Sequence, residues 1–282
     1  MDGQERSDTR KPEEIVEWLE EQLGRMDQVR LLVRAGRWIN PAATADKGSP
    51  YSWWLGSRDL DFWRDFSFEN LLDQPLIQSS LLSFAPLRFR LLLPNRMRLD
   101  FLVDRPEAVV KRMEADSLTE VRVDKDDRVI EDRVTSDISH RTKSPDMEEL
   151  KLLPGNFFRE MSDMAFYLQG KELIPAQQAL DRGRKILLRL AETAVARSNG
   201  YSINLGEDLR NVGAYMDPNQ YESLQRTYAN TDMDNLWDAL FQSCILFRKV
   251  ALAIDQGTSF NYPRKLDVEM MKMFRQIWKE ML

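Results

Sequence analysis

The stretch AGRWINPAATADKGSPYSWWLGSRD, residues 35 to 59, follows a short apolar run and has the layout of a loop that handles a nucleotide. Gly36 provides a tight turn. Arg37, the next residue, carries a guanidinium able to make bidentate contacts with phosphate oxygens. GSRDLDF (56 to 62) contains a Gly-Ser and an Asp-x-Asp, but set side by side they leave no room for phosphates between loop and strand. For Asp59 and Asp61 an acidic helix start or a solvated turn is the plainer reading. Glu160 and Asp163, three apart in a helical pattern, bring two carboxylates to one side, unless they are solvent-facing charges. His140 and Cys244 are single, so a His/Cys zinc cluster cannot be assembled. His140 lies in a polar stretch that reads as a surface linker, and Cys244 reads as a buried apolar residue. Catalysis would therefore run on carboxylates, lysines, arginines and bound metal ions.

The elements that must position these residues change character along the chain. In PEEIVEWLEEQLGRM (12 to 26), Ile15, Trp18, Leu19 and Leu23 line one helical face behind a first-turn proline. VRLLVRA (29 to 35) reads as a buried strand. PLRFRLLLP (86 to 94) alternates Leu87, Phe89 and Leu91 against Arg88 and Arg90, and RLDFLVD (98 to 104) alternates Leu99, Phe101 and Val103, so PNRM turns an antiparallel hairpin. DLDFWRDFSFENLL (59 to 72) is aromatic-rich and helical in length, RPEAVVKRMEAD (105 to 116) reads as a helix, and VRVDKDD (121 to 127) as a further strand.

Beyond about residue 143 every apolar pattern has the helical period. Phe157, Met161, Met164, Ala165 and Leu168 form one stripe, and Leu180, Ile186, Leu187, Leu190 and Ala194 form another, closed by Asn199-Gly200. Further helices are expected over 217 to 228, 231 to 255 and 265 to 282. The Met-rich tail reads as core packing, with a partner-binding helix as the other possibility. The expected architecture is α+β: an N-terminal mixed sheet with flanking helices over 1–143, an all-α bundle over 144–282, and a cleft between them.

Forty Lys and Arg against forty-six Asp and Glu leave a net charge of -6, so no overall basic field draws nucleic acid or an anionic membrane. No apolar run approaches the about 18 residues of a membrane helix. With one cysteine and a polar start, MDGQERSDTRK, the expectation is a soluble cytoplasmic protein.

A strand, a glycine turn, a loop of about a dozen residues, a second strand and then a hairpin bearing an aspartate is also the order of the nucleotidyltransferase fold. The helical half is more specific. FFREMSDMAFYLQGKEL, NGYSINLG (199 to 206), TYANTDMDNLWDALFQSCILFRK (227 to 249) and NYP (261 to 263) resemble the C-terminal domain of the aminoglycoside 6-adenylyltransferases, or streptomycin adenylyltransferases. RLDFLVDRPE (98 to 107) and VDKDD fit the same family.

That resemblance implies transfer of AMP from ATP to an aminoglycoside hydroxyl, with Mg2+ and ATP as cofactors. It places Gly36, Arg37 and Asn40 near the nucleotide, and Lys125 either at a phosphate or as a solvated hairpin-turn lysine beside three acids; the spacing of Glu160 and Asp163 suits them to offer carboxylates to a cationic sugar. It makes Asp100 the catalytic and metal-binding aspartate. Relatives carry a loop serine and an Asp-x-Asp whose alternate carboxylates face one side. Aligned without gaps, this chain has Arg37 at the serine and Pro50 and Ser52 at the two aspartates. Only Asp100, the third, is kept, and Glu207 stands where the family tends to have lysine. One carboxylate is a poor magnesium site. Arg37 then either meets a phosphate or fills the vacated place beside Asp100, and one of Trp53 and Trp54 faces the core while the other fills the nucleotide's place.

Three functional expectations follow. The first is an adenylyltransferase homologue of antibiotic-resistance type whose metal site has eroded, a pseudoenzyme with weak or lost activity. The second is a noncatalytic binding protein that uses the interdomain cleft for a cationic small molecule or a protein partner. The third is a transferase in which Asp59, Asp61 or Glu207 replaces the missing acids.

Overall fold

Ile15, Val16, Leu19 and Leu23 are buried along one face of α1 (Pro12–Arg25), and Pro12 sits in the first turn, where its missing N–H leaves nothing unsatisfied. The computed structural model describes residues 11–41, 48–72, 75–129 and 133–282. After α1 come β1 (Val29–Ala35), β2 (Tyr51–Ser57), α2 (Leu60–Asp65), β3 (Ile77–Leu81), β4 (Leu87–Leu92), β5 (Arg98–Asp104), α3 (Pro106–Ala115) and β6 (Thr119–Asp124). The chain divides into two compact units, Met1–His140 and Arg141–Leu282.

The first unit is built on a mixed sheet of order β3-β4-β5-β2-β1-β6. β2 and β5 run parallel and the other neighbours antiparallel. Alternation along each strand sorts side chains to two faces. On one, Trp53, Leu55, Phe89, Leu99, Phe101 and Val103 pack with the α1 stripe and with Trp63 and Phe68. On the other, Leu31 and Val33 pack beneath Val109 and Met113 of α3. Gly56 lets this second layer close: a side chain there would start 2.9 Å from Leu31 Cβ and 3.0 Å from Pro106 Cα.

The aromatic segment 59–72 does not form one helix. α2 ends at Phe66, which is extended, and Ser67 caps a separate 3-10 turn, Phe68–Asn70. The break lets Phe66 and Phe68 both reach Trp63, and Phe68 stacks on Phe101 at 4.2 Å. β3 has no counterpart in the sequence reading. Every residue of IQSSL is exposed, so it carries none of the buried alternation by which a strand is recognised.

The second unit contains α4 (Met147–Gln169), α5 (Leu173–Ser198), α6 (Val212–Tyr215), α7 (Pro218–Gln225), α8 (Met233–Asp255) and α9 (Arg264–Glu280). Its core joins the expected stripes of α4 and α5 to α8 and α9, with Phe157 stacked on Phe247 at 4.0 Å. Met271, Phe274 and Ile277 of the tail helix are buried in it. Arg248 of α8 holds buried Asp267 of α9 through Nε and Nη2. Burial pushes the Tyr262 hydroxyl and the Cys244 thiol well above their ordinary values, so Cys244 is an apolar filler and not a nucleophile. Among the described residues no helix is long and apolar enough to cross a membrane.

Candidate functional site

At the C-terminal end of β1, the sheet brings four residues into one line. Ala35 pairs with Ser52 of β2, Ser52 with Asp100 of β5, and Asp100 with Arg90 of β4. Paired residues share a face with backbones about 5 Å apart. Gly36 follows Ala35 with φ 85° and ψ −155°, a region essentially restricted to glycine. Its N–H donates to Leu118 O at 3.0 Å, and a side chain at 36 would begin 3.9 Å from Ser52 Oγ. Arg37 opens a 3-10 turn, Arg37–Ile39, that Asn40 closes by donating its N–H to Arg37 O at 3.1 Å. Gly36, Arg37 and Asn40 thus stand at the same end of the sheet as Asp100.

Trp38 ties the turn after β1 to the start of β2. Its Nε1–H donates to Ser49 O at 2.9 Å and its ring stacks on Tyr51 at 4.2 Å. Trp53 faces the α1 core, stacked on Phe101 at 5.0 Å. Trp54 faces the α3 side, packed against Leu31, Val33, Val109 and Met113, with the Arg112 guanidinium 5.5 Å from its ring centroid.

The donor set in this line does not suit magnesium. The two strand neighbours of Asp100 are a hydroxyl and a guanidinium, and among the described residues no three His, Cys, Asp or Glu side chains gather closely enough to hold an ion. A hard dication held with its waters calls for carboxylate oxygens, and an arginine in the ring of neighbours opposes it.

Asp59 and Asp61 do not take over. Ser57 pairs with Val29 while Ser52 pairs with Ala35, so five residues of strand, about 17 Å, separate the two ends of β2, and both aspartates lie beyond Ser57. Asp59 caps α2 by accepting from Phe62 N at 2.9 Å, and Asp61 pairs with Arg64. Lys125 is also at that far end: its Nζ donates to Met26 O at 2.8 Å and its backbone N–H to Arg30 O. These two bonds tie Lys125 to the α1–β1 junction. In the second unit Glu160 is buried between Arg159 at 2.6 Å and Arg182 at 2.7 Å. Asp163 is half-buried nearby. The Arg182 pKa is raised, first by its bond to Glu160 and more weakly by the charge of Asp163. Two arginines thus satisfy the carboxylate expected to meet a cationic sugar. Glu207 is exposed in a turn where Gly206, Asp208 and Leu209 all have positive φ.

Two features carried no role in the sequence reading. Glu20 of α1 is 6% exposed and accepts from Arg34 at 2.5 and 2.9 Å, Arg122 at 2.9 Å and Trp53 Nε1 at 2.8 Å, tying the helix to β1, β2 and β6. Arg88 and Arg90 are exposed on the Asp100 face. The alternation RFR already put both on one side of β4. Only the strand register puts Arg90 opposite Asp100.

At the far end of the sheet Asp126 accepts from Arg30, from Arg58 at 2.9 Å and from Arg128 at 3.2 Å. The Arg30 bond first, then Arg128, hold its carboxyl well below the ordinary carboxylate range. A depressed folded-state value stabilises the fold above the unfolded pKa of about 4 and loses that effect as pH falls below it. Asp126→Asn is therefore expected to lower the melting temperature at pH 7 and to flatten its decline between pH 4 and pH 2, as read by circular dichroism. An equal wild-type and variant decline across that window would remove Asp126 from the acid response.

The family model for streptomycin adenylyltransferase matches residues 77–277. The chain is 27% identical over 149 residues to the aminoglycoside 6-adenylyltransferase of Bacillus subtilis (strain 168), a match spanning 52% of each chain. It is 23% identical over 206 residues to the enzyme of the same name from Campylobacter jejuni, spanning 72% of each. The match thus covers about half the length of the first of these relatives. Among solved structures, an aminoglycoside 6-adenyltransferase from Bacillus subtilis aligns with a TM-score of 0.47 and 18% identity over 95% of this chain and 99% of that one. A nucleotidyltransferase-like protein from Exiguobacterium sibiricum aligns with a TM-score of 0.33 and 12% identity over 86% and 76%. With more than half of its length matched by one family model, the chain belongs to the streptomycin adenylyltransferase family.

Proposed function

We propose that this chain is an aminoglycoside 6-adenylyltransferase homologue whose transfer of AMP from ATP to an aminoglycoside hydroxyl is weak or lost. One observation carries the reading: at the Gly36 end of the sheet, Asp100 is flanked by Ser52 and Arg90. Adenylyl transfer requires that a triphosphate be neutralised and that the attacking and leaving oxygens be held in line, work that divalent ions do when carboxylates grip them. Ser52 changes the chemistry of its position in kind. A carboxylate only accepts hydrogen bonds, whereas a hydroxyl also donates, so the residue that would hold a cation is suited to meet an anion. Arg90 adds to the same reversal.

ATP and an aminoglycoside are the ligands the family suggests. Of the two α4 acids expected near a cationic sugar, Glu160 is neutralised by Arg159 and Arg182, which leaves Asp163. The test is incubation of the full chain with α-labelled ATP, Mg2+ and a panel of aminoglycosides including streptomycin, followed by separation of adenylylated product. Expected is turnover at least about a hundredfold below a typical enzyme kcat of about 10 per second. Turnover at that typical rate would contradict the proposal.

A further inference from the structure

The face of the sheet that carries Asp100 also carries three arginines. Arg90 is directly opposite Asp100, Arg88 is opposite Leu102, and Arg98 is opposite Leu92. Rows on one face of a strand are about 7 Å apart and neighbouring strands about 5 Å, so Arg88 and Arg90 stand one row apart beside a single carboxylate, within the span of a di- or triphosphate, and Arg98 lies one row to the other side of it. Arg98 donates through Nη1 to Gly48 O at 3.0 Å, which holds it at the Gly36 end. Arg88 and Arg90 are exposed and make no hydrogen bond or ion pair with any described residue, whereas Arg30, Arg34, Arg58, Arg122 and Arg128 in the same unit are all paired. α3 packs on β1 and β2, and the Arg88 and Arg90 side chains stay open to solvent. Near Asp100, Ser52 adds a hydroxyl, and Gly36 presents a bare backbone beside it.

We propose that this face binds a di- or triphosphate group through Arg88 and Arg90 without a divalent ion. The inference rests on the reading above of the Gly36 end as the nucleotide-facing part of the fold. A guanidinium fork matches two phosphate oxygens at once and stays charged at any physiological pH, so the neutralisation that carboxylate-bound Mg2+ would provide comes from the protein itself. Asp100 then changes sign in its effect. In a metal site its charge grips the ion; between arginines and a polyanion it repels the ligand.

Isothermal titration of the full chain with ATP, and separately with inorganic tripolyphosphate, is to be run in EDTA and then in excess Mg2+. Expected is binding in EDTA that Mg2+ does not strengthen. Arg88→Ala with Arg90→Ala should weaken it at least about tenfold, and Asp100→Asn should tighten it several-fold. Arg88→Lys with Arg90→Lys, which keeps charge and loses the fork, should fall between, and the arginine variants should melt as wild type because the replaced side chains are exposed. Tripolyphosphate binding as tightly as ATP identifies an inorganic polyphosphate ligand, and tighter ATP identifies a nucleotide; either supports the proposal. Binding that requires Mg2+ and disappears in Asp100→Asn would overturn it while leaving the nucleotide-facing reading in place. No binding of either compound in either buffer would overturn both. Binding unaffected by the arginine replacements would also overturn it.

Discussion

Replacing Pro50 and Ser52 together by aspartate is expected to create a magnesium site in this protein. Ser52 is the strand neighbour of Asp100 in a parallel pair, and position 50, two residues earlier, shares its side of the chain. Three carboxylates would then converge at one end of the sheet, enough to hold a hard dication that keeps part of its water. Mg2+ should strengthen ATP binding at least about tenfold in the double variant and not in wild type. Adenylyl transfer to an aminoglycoside should rise at least about a hundredfold, roughly 2.7 kcal/mol in the barrier. Both gains should vanish when Asp100→Asn is added. A double variant that binds ATP identically with and without Mg2+ would mean that something other than the identity of residues 50 and 52 prevents the metal from binding.

The second large effect concerns stability. Glu20→Ala is expected to destabilise the first unit by about 3 kcal/mol, because breaking a buried ion pair by removing one partner leaves the other uncompensated, and the buried Trp53 N–H loses its acceptor too. For a unit of this size that corresponds to a fall of roughly 10 °C in its melting transition by scanning calorimetry. Glu20→Gln, which keeps an acceptor for Trp53, should fall between. A loss under about 1 kcal/mol for the alanine variant would show that the two arginines find water as readily as they find Glu20.

Much of the scaffold was legible in the sequence, for a physical reason. β1 could be read from VRLLVRA, α3 from RPEAVVKRMEAD and the β4–β5 hairpin from its alternation, because burial on one face imposes a period on the residue types. β3 escaped because no residue of IQSSL is buried, and the segment 59–72 misled because Trp63, Phe66 and Phe68 pack into a core through a break that composition alone does not reveal. The line of site residues was half legible. Gly36 and Asp100 were visible as types in a pattern. Whether Asp59 and Asp61 could stand near Asp100 depended on strand direction, and β2 carries them away from it. The partners of Lys125 and Glu160 were not legible, because a charge in sequence does not disclose its partner. Lys125 is held by the Met26 carbonyl and Glu160 by two arginines. Arg90 shows the converse, a residue whose importance comes from what lies opposite it on the next strand.

The central claim is that Asp100, between Ser52 and Arg90, does not hold a divalent ion. The most direct measurement is titration of the full chain with Mn2+, following free aqueous Mn2+ by electron paramagnetic resonance in the absence of nucleotide, for wild type and Asp100→Asn. The account expects binding no tighter than about the millimolar range, near −4 kcal/mol, and the same curve for both proteins. A wild-type site in the micromolar range that is lost in Asp100→Asn would contradict it.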